Sequence, residues 1–273
     1  MNIISPSVIK ELLAKQGKRP SKILGQNFLI DGRILEKIIV AAGLSAQDTV
    51  LEIGPGIGML TRALAEKAKK VIAIEKDLGM LDILKETVGN YNNIEIIQGD
   101  VLKLPIINFQ LSNYKLIANI PYYITSPIIR KFLEEENRPT QMVLMIQKEV
   151  AKRICAKPPD MSLLALSVQF YATPKIISHV SKNCFWPAPK VDSAIISITP
   201  HPEKPPVDPQ IFFTLIKAGF SAPRKQLAGN LSRALKKDKE AVSAWLLKSG
   251  IEPTRRAETL SLTDWIHLAN TPI

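Results

Sequence analysis

The sequence has only two cysteines, Cys155 and Cys184, among its 273 residues. Two thiols cannot build a disulfide framework or, by themselves, a four-ligand zinc site. A reducing compartment therefore suits the chain best. With only three histidines as well, we expect a reaction that needs no metal ion.

Long apolar runs are also missing. No stretch approaches the ~18 consecutive apolar residues of a membrane span. The first twenty residues carry Lys10, Lys15, Lys18 and Arg19 rather than an unbroken apolar segment. We therefore expect no signal peptide and no membrane contact, and we predict a soluble cytoplasmic protein. Nothing in the sequence indicates an obligate oligomer, so we expect a monomer.

The sequence has fewer acidic than basic residues. The chain has 36 Lys and Arg against 25 Asp and Glu, which gives a net charge of +11. Residues 1–35 and 201–273 each carry a net charge of +4, whereas residues 36–200 carry only +3. Clustered basic charge favours a polyanionic partner such as nucleic acid. Charge alone does not decide this, because many soluble proteins are basic without binding one.

The middle of the chain alternates apolar strand-like segments with helix-like segments. Buried strands in such alternation predict an α/β fold with a mostly parallel, seven-stranded sheet covered by helices. The last two strands are close enough in sequence to form an antiparallel pair at the sheet edge. The predicted strands are Thr49–Gly54, Val71–Glu75, Ile94–Ile97, Tyr114–Asn119, Gln141–Ile146, Lys175–Ser178 and Val191–Ile198, and the predicted helices are Leu60–Lys69, Leu78–Val88 and Pro127–Glu136.

The composition changes after residue 200. Residues 201–209 include four prolines, which predicts a stiff linker between two domains. Residues 210–273 show helical periodicity without a convincing strand. We therefore predict a larger domain over residues 1–200 and a small all-helical C-terminal domain over residues 210–273.

A glycine-rich loop follows the first predicted strand. Gly54, Gly56 and Gly58 let the backbone turn sharply and let a ligand approach it closely. Their spacing is G-x-G-x-G rather than the G-x-G-x-x-G that binds a pyrophosphate. Glu52, just before these glycines, would repel a pyrophosphate but can hold a cationic group.

Acidic residues end or follow two further strands. Glu75 is placed to accept hydrogen bonds from ribose hydroxyls, and Asp100 to accept one from an adenine amino group. Together with Glu52, they favour a neutral or cationic nucleoside such as S-adenosylmethionine over a dinucleotide. The alternative is a plain glycine turn, with Asp100 serving as a helix cap.

The tetrapeptide Asn119-Ile120-Pro121-Tyr122 follows the fourth predicted strand. Ligands of open parallel sheets bind at the carboxyl ends of the strands. The amine of adenine is a poor nucleophile because its lone pair is delocalised into the ring. The Asn119 side-chain oxygen and the Ile120 carbonyl can each accept one of its N–H groups and free that lone pair. Pro121 would fix the backbone, and Tyr122 would stack on the base.

A second aromatic candidate is Phe185, which precedes a proline-rich loop. A base held between Tyr122 and Phe185 would have to leave its own stack. Phe185 is equally readable as a loop aromatic packed on the core. Tyr123 and Trp186 carry the same ambiguity and rank lower.

These motifs, in this order, resemble those of the ribosomal RNA adenine dimethyltransferases over nearly the whole chain. The resemblance is closest to the bacterial small-subunit (16S) group, whose loss confers kasugamycin resistance. Two segments favour that group over the 23S enzymes of macrolide resistance. The segments that carry the resemblance are Gln26–Leu29, Glu52–Gly58, Glu75, Gly99-Asp100, Asn119–Tyr122 and Phe185–Ser193, and those that favour the small-subunit group are Gln147–Ala151 with Arg153 and Gly250–Leu260.

The resemblance implies a Rossmann-like class I methyltransferase fold and transfer from S-adenosylmethionine to N6 of two adjacent adenosines. The target would be a hairpin loop near the 3′ end of 16S rRNA, in a 30S precursor during small-subunit biogenesis. It implies cofactor contacts at Asn27, Leu29, Gly54, Gly56, Glu75, Asp100 and Asn119, with Gln26 beside them.

The helical domain would bind RNA. Arg224 and Lys225 are the candidate contacts, beside Pro223, where relatives often carry a basic residue. Three other functions stay open. A 23S methyltransferase and a non-catalytic nucleic-acid-binding relative share the fold. A nicotinamide-dependent oxidoreductase would leave the tetrapeptide without a role.

Overall fold

The computed structural model describes residues 5–21, 24–109, 111–203 and 205–273. The chain divides into two compact units. Unit 1 runs to Ala151 and resumes over Lys175–Pro200, and unit 2 comprises Lys152–Pro174 and His201–Ile273. Within the described ranges, no helix is both long enough and apolar enough to cross a bilayer.

Unit 1 is an α/β unit. Its strands are β1 (Phe28–Leu29), β2 (Thr49–Ile53), β3 (Lys70–Glu75), β4 (Ile94–Gln98), β5 (Tyr114–Asn119), β6 (Gln141–Gln147), β7 (Ala172–Val180, which begins in unit 2), β8 (Phe185–Trp186) and β9 (Ser193–Pro200). Its helices are α1 (Pro6–Lys15), α2 (Gly32–Ala42), α3 (Met59–Ala65), α4 (Leu78–Val88), α5 (Thr125–Glu134) and α6 (Lys148–Ile154, which ends in unit 2), with short 3-10 turns at Ile106–Phe109, Tyr122–Ile124 and Lys182–Cys184.

Seven strands form one sheet in the order β4-β3-β2-β5-β6-β9-β7. The first five of these run parallel, and β9 pairs antiparallel with β6. The prediction of a mostly parallel seven-stranded sheet is therefore confirmed. The central strands are apolar on both faces because helices cover both, and residues such as Leu51 and Ile117 have no exposed surface.

A second, two-stranded sheet pairs β1 with β8, with Phe28 opposite Trp186 and Leu29 opposite Phe185. The sequence did not predict it, because two residues are too few for any periodicity to be visible. This short pairing joins the segment before α2 to the segment before β9. Both segments carry candidate site residues, so the pairing has a direct bearing on the site.

Unit 2 is helical. It contains α7 (Leu163–Gln169), α8 (Pro209–Gly219), α9 (Leu227–Leu235), α10 (Lys239–Lys248) and α11 (Leu262–Asn270), with a 3-10 turn at Ala257–Thr259. Side-chain caps begin several of these helices. Ser261 and Asp264 form a capping box at α11.

The structure differs from the predicted domain boundary in one respect. Residues 152–174 group with the C-terminal helices rather than with the larger domain. The Phe170 ring, just after α7, stacks on Phe212 of α8 with centroids 4.0 Å apart. Tyr171 and Phe213 extend this aromatic cluster. Packing between residues that are distant in sequence is not visible in any local sequence pattern. The four prolines of residues 201–209 are such a local pattern, so the sequence predicted a boundary only there.

The third glycine of the loop after β2 has a packing role. Gly58 has a φ of +84°, and a Cβ placed on it would lie 2.8 Å from Val88 and 2.9 Å from Leu84. Both neighbours belong to α4. The loop can therefore lie this close to α4 because residue 58 is a glycine and has no side chain.

We expect Gly58→Ala to lower the free energy of unfolding by about 3 kcal/mol, through overpacking and left-handed backbone strain. Gly43→Ala is the matched control. Gly43 also has a positive φ, +50°, but nothing lies within 4 Å of its Cβ position. Its cost should be about 1–2 kcal/mol. Denaturant unfolding followed by circular dichroism measures both, and equal losses would contradict the packing role.

Candidate active site

One cavity lies where β2, β3 and β5 end. Parallel strands place their carboxyl ends at the same edge of the sheet, so residues far apart in sequence meet there. Every candidate catalytic and cofactor-binding residue lines this cavity: Asn27, Leu29, Gly54, Gly56, Glu75, Asp100, Asn119, Ile120, Pro121, Tyr122 and Phe185. Their individual roles stay predictions.

The glycine loop forms one wall of the cavity. Gly54 and Gly56 have φ values of +68° and +57°, which favour glycine. The carboxylate of Glu75 accepts hydrogen bonds from the Gly56 N–H, at 3.1 Å, and from the Asp77 N–H, at 2.8 Å. One carboxylate therefore holds the loop after β2 against the loop after β3, and it fixes the shape of this wall.

Two buried acids lie at this end of the sheet. Glu52 has only 1% of its surface exposed, and its Oε2 has no hydrogen-bond partner among the described residues. Burial raises the pKa of Glu52 from 4.5 to about 8; the nearby Thr61 hydroxyl opposes this shift, and the Glu75 charge adds to it. Burial also raises the pKa of Glu75, although backbone N–H groups oppose that shift. An unpartnered buried carboxyl oxygen beside the cavity suits a ligand that brings a positive charge or a donor.

Asp100 lies at the more open rim. Its Oδ2 is 3.0 Å from Nζ of Lys76, and its Oδ1 accepts from the Leu102 N–H at 3.0 Å. Burial acts to raise the pKa of Asp100, but the Lys76 and Leu102 hydrogen bonds outweigh it and the pKa falls below its usual value. Asp100 therefore stays ionised and able to accept a hydrogen bond from a ligand.

The segment Gly25–Leu29 lies along the cavity and is tied to it at several points. The Gln26 amide nitrogen donates to Asp77 Oδ2 at 2.8 Å, and the Asn27 amide donates to the Gly25 carbonyl at 3.0 Å. Leu29 is held by the β1–β8 pairing. Gln26 and Leu29 therefore connect this segment to two different loops of the site.

Asn119 is the last residue of β5, and its amide has a defined orientation. Its Nδ2 donates a long hydrogen bond, 3.4 Å, to the carbonyl oxygen of Asn27. With the nitrogen engaged by a backbone acceptor, the side-chain oxygen is the end available to a ligand donor. The N–H of Ile120 donates to the Met145 carbonyl of β6 at 3.2 Å, which fixes the start of the tetrapeptide.

The aromatic candidates differ in exposure. Phe185 lines the cavity but is only 3% exposed and belongs to the hydrophobic core. Tyr122 is partly buried, and Tyr123 is 55% exposed. Trp186 packs against the core, with Nζ of Lys10 5.5 Å from its ring centroid. Phe185 thus both packs in the core and faces the cavity, so its surroundings agree in part with each interpretation, a core aromatic or a ring that stacks on the base. Its stacking role stays a prediction.

Arg224 and Lys225 are not part of this cavity. They lie in unit 2, in the turn between α8 and α9, together with Pro223, and all three are exposed. The Lys225 N–H donates to the Ala222 carbonyl at 2.9 Å, which closes the turn. Their exposure leaves both cationic side chains accessible to a partner.

Three residues that the sequence did not single out also shape the site. Lys76 pairs with Asp100, Asp77 holds Gln26, and Ser193 lies 2.7 Å from the hydroxyl of Tyr122. Lys76 and Asp77 directly follow Glu75, so their closeness to the site was predictable. Ser193 is separated from Tyr122 by 71 residues, and no local pattern marks that contact.

We expect Glu52→Gln to raise the free energy of unfolding at pH 7 by roughly 3 kcal/mol. The folded-state pKa of Glu52, about 8, lies above its ordinary value of 4.5. Between these two values the unfolded chain loses the proton first, so stability falls as pH rises. The variant should lack this fall. Denaturant titrations at pH 5, 6, 7 and 8 measure it.

The exposed Glu36→Gln variant removes one negative charge without a buried carboxyl, and it is the control. It should follow the wild-type pH dependence. A Glu52→Gln variant with the same pH slope as wild type would contradict the buried neutral carboxyl.

Comparison with known proteins identifies relatives that are named as ribosomal RNA methyltransferases. The family model for ribosomal RNA adenine dimethylase matches residues 17–272. Ribosomal RNA small subunit methyltransferase A of Dehalococcoides mccartyi is 46% identical over 94% of this chain and 89% of its own length. The protein of the same name from Geobacillus thermodenitrificans is 43% identical over 98% of this chain and 96% of its own.

Two solved structures have the same architecture. A dimethyladenosine transferase from Plasmodium falciparum aligns with a TM-score of 0.77 at 30% identity, over 88% of this chain and 95% of its own. The 23S rRNA methyltransferase ErmE aligns with a TM-score of 0.73 at 27% identity, over 89% and 98%. The resemblance found in the motifs is thereby confirmed, and the chain belongs to the ribosomal RNA adenine dimethylase family.

Proposed function

We propose that this protein transfers methyl groups from S-adenosylmethionine to N6 of two adjacent adenosines near the 3′ end of 16S rRNA. The substrate would be a 30S precursor, and the enzyme would act as a cytoplasmic monomer. The observation that carries the proposal is the position of Asn119–Tyr122. The tetrapeptide lies at the end of β5 and lines the same cavity as the glycine loop, Glu75 and Asp100.

The cavity fits the proposed methyl donor. Gly54 and Gly56 present backbone without side chains, the Glu75 carboxylate would accept from ribose hydroxyls, and the ionised Asp100 would accept from an adenine amino group. Glu52 adds a buried carboxyl oxygen without a partner for a cationic group. When bound, S-adenosylmethionine supplies a methyl group that is already activated by its sulfonium.

The chain itself has to orient and activate the target amine. Asn119 Oδ1 and the Ile120 carbonyl would each accept one N–H of that amine, which draws the nitrogen toward tetrahedral geometry and frees its lone pair. Pro121 restricts the backbone between them, and the ring of Tyr122 provides a stacking surface. Positioning of this kind contributes a large part of the rate in group transfer.

The small-subunit substrate is favoured over the 23S alternative by the relatives. Proteins named for the small subunit are 40–46% identical to this chain, whereas the 23S enzyme is 27% identical. The two segments at residues 147–153 and 250–260 point the same way. Mapping of methylated adenosines on both rRNAs, with and without the protein, discriminates the two substrates.

We expect Asn119→Ala to lower methyl transfer by about a hundredfold or more, because an acceptor for the target amine is lost. RNA affinity should remain near wild type. Transfer of labelled methyl from saturating S-adenosylmethionine to immature small subunits measures the first effect, and filter binding measures the second.

The control is Asn183→Ala, an exposed asparagine of the same unit. It should keep full activity. A fully active Asn119→Ala variant would refute the proposed role of the tetrapeptide. Binding of RNA without any transfer by the wild type would instead identify a non-catalytic relative.

We expect replacement of Arg224 and Lys225 by alanine to weaken RNA binding and to reduce the slope of log K against log salt by about one to two. The reason is that fewer counterions are released when two phosphate contacts are lost. Lys236 and Lys237, an exposed basic pair after α9, provide a charge-matched control. Equal losses from both pairs would indicate nonspecific charge rather than a contact at the α8–α9 turn.

A further inference from the structure

The hydroxyl of Tyr122 has a defined partner. It lies 2.7 Å from the Oγ of Ser193, a hydrogen bond in which either oxygen can be the donor. Tyr122 itself begins the 3-10 turn Tyr122–Ile124, directly after the restricted backbone of Pro121. Its side chain is thus fixed at the backbone end and held again at its tip.

Ser193 is well placed to serve as an anchor. It is fully buried, it is the first residue of β9, and it lies opposite Gln147 of β6. The preceding residue, Asp192, accepts from the Lys148 N–H at 3.0 Å through its carbonyl and from the Lys182 N–H at 3.1 Å through Oδ1. The backbone that carries the Ser193 hydroxyl is therefore held from two sides.

Anchoring of this kind matters for an aromatic ring that must receive a base. A tyrosine side chain turns about χ1 and χ2, and stacking requires one ring plane at one position. A hydrogen bond at the phenolic oxygen restricts χ1, because other χ1 rotamers would move that oxygen away from Ser193. Burial also raises the pKa of Tyr122, so the phenol stays protonated and able to donate.

We propose that Ser193 is a positioning residue for the methyl transfer, which holds the ring of Tyr122 in the orientation that receives the target adenine. Ser193 acts through Tyr122 and touches neither donor nor amine. The proposal rests on the proposed function, because it requires Tyr122 to stack on the base. It extends the site to a strand that supplies none of the candidate catalytic residues.

The test is a double-mutant cycle of Ser193→Ala, Tyr122→Phe and the double variant. Each single variant removes one half of the hydrogen bond, and Tyr122→Phe does so while keeping the ring. We expect kcat for labelled methyl transfer to immature small subunits to fall about 3- to 10-fold in each, the range that corresponds to one hydrogen bond. KM should stay within about twofold, and the double variant should be no slower than either single one.

Ser197→Ala is the matched control. Ser197 lies on the same strand and is also buried, and its Oγ accepts from the side chain of Gln141 at 2.9 Å. Both serine variants lose one buried hydroxyl hydrogen bond, so their melting temperatures should fall by similar amounts. Only Ser193→Ala should lose kcat. Ser193→Thr, which restores a hydroxyl, should recover most of the rate if it melts like the wild type.

Several results would overturn the proposal. They are a wild-type kcat in Ser193→Ala, multiplicative losses in the double variant, or an equal loss of kcat in Ser197→Ala. Failure of the proposed function has a different signature, because the wild type itself would then transfer no labelled methyl group to immature small subunits. If Tyr122→Ala is inactive while Ser193→Ala is fully active, the proposed function stands and only the positioning role fails.

Discussion

The parallel register of β3, β2 and β5 is the constraint on which the site depends. Ile53 lies opposite Ile74, and Glu52 lies opposite Ile117, so the loops after these strands leave the sheet at nearly the same level. The apolar side chains of these strands are buried on both faces, and their close packing in the core resists a shift of one strand along the next. The carboxyl of Glu75 can then hold the glycine loop, and Asn119 reaches the same cavity.

The site lowers the free energy of unfolding of the protein, because it buries two carboxyl groups. Glu52 and Glu75 are both buried, and burial raises the pKa of both because a charged carboxyl loses its hydration there. A stability-optimised core would not retain Glu52 with an oxygen that lacks a partner. Glu52 lines the cavity of the candidate active site, and active sites often conflict with local stability.

Much of the fold could be predicted from the sequence, because most strands are marked by a local sequence pattern. Strands such as Thr49–Ile53 and Tyr114–Asn119 are short, mostly apolar segments, followed by glycine or ended by a polar residue. The β1–β8 pairing and the grouping of residues 152–174 with unit 2 could not be predicted. Two-residue strands have no periodicity, and a stack such as Phe170 on Phe212 joins residues that no local pattern relates.

The sequence by itself determined the family, the mostly parallel sheet and the set of residues that share one cavity. Each of these follows from motifs at strand ends, and parallel strands bring such ends together. Only the tertiary structure decided how those residues are held. Ser193 on Tyr122, Lys76 on Asp100 and Gly58 against α4 are contacts of specific distance and direction. Such contacts depend on three-dimensional packing, which spacing along the chain does not encode in a local pattern.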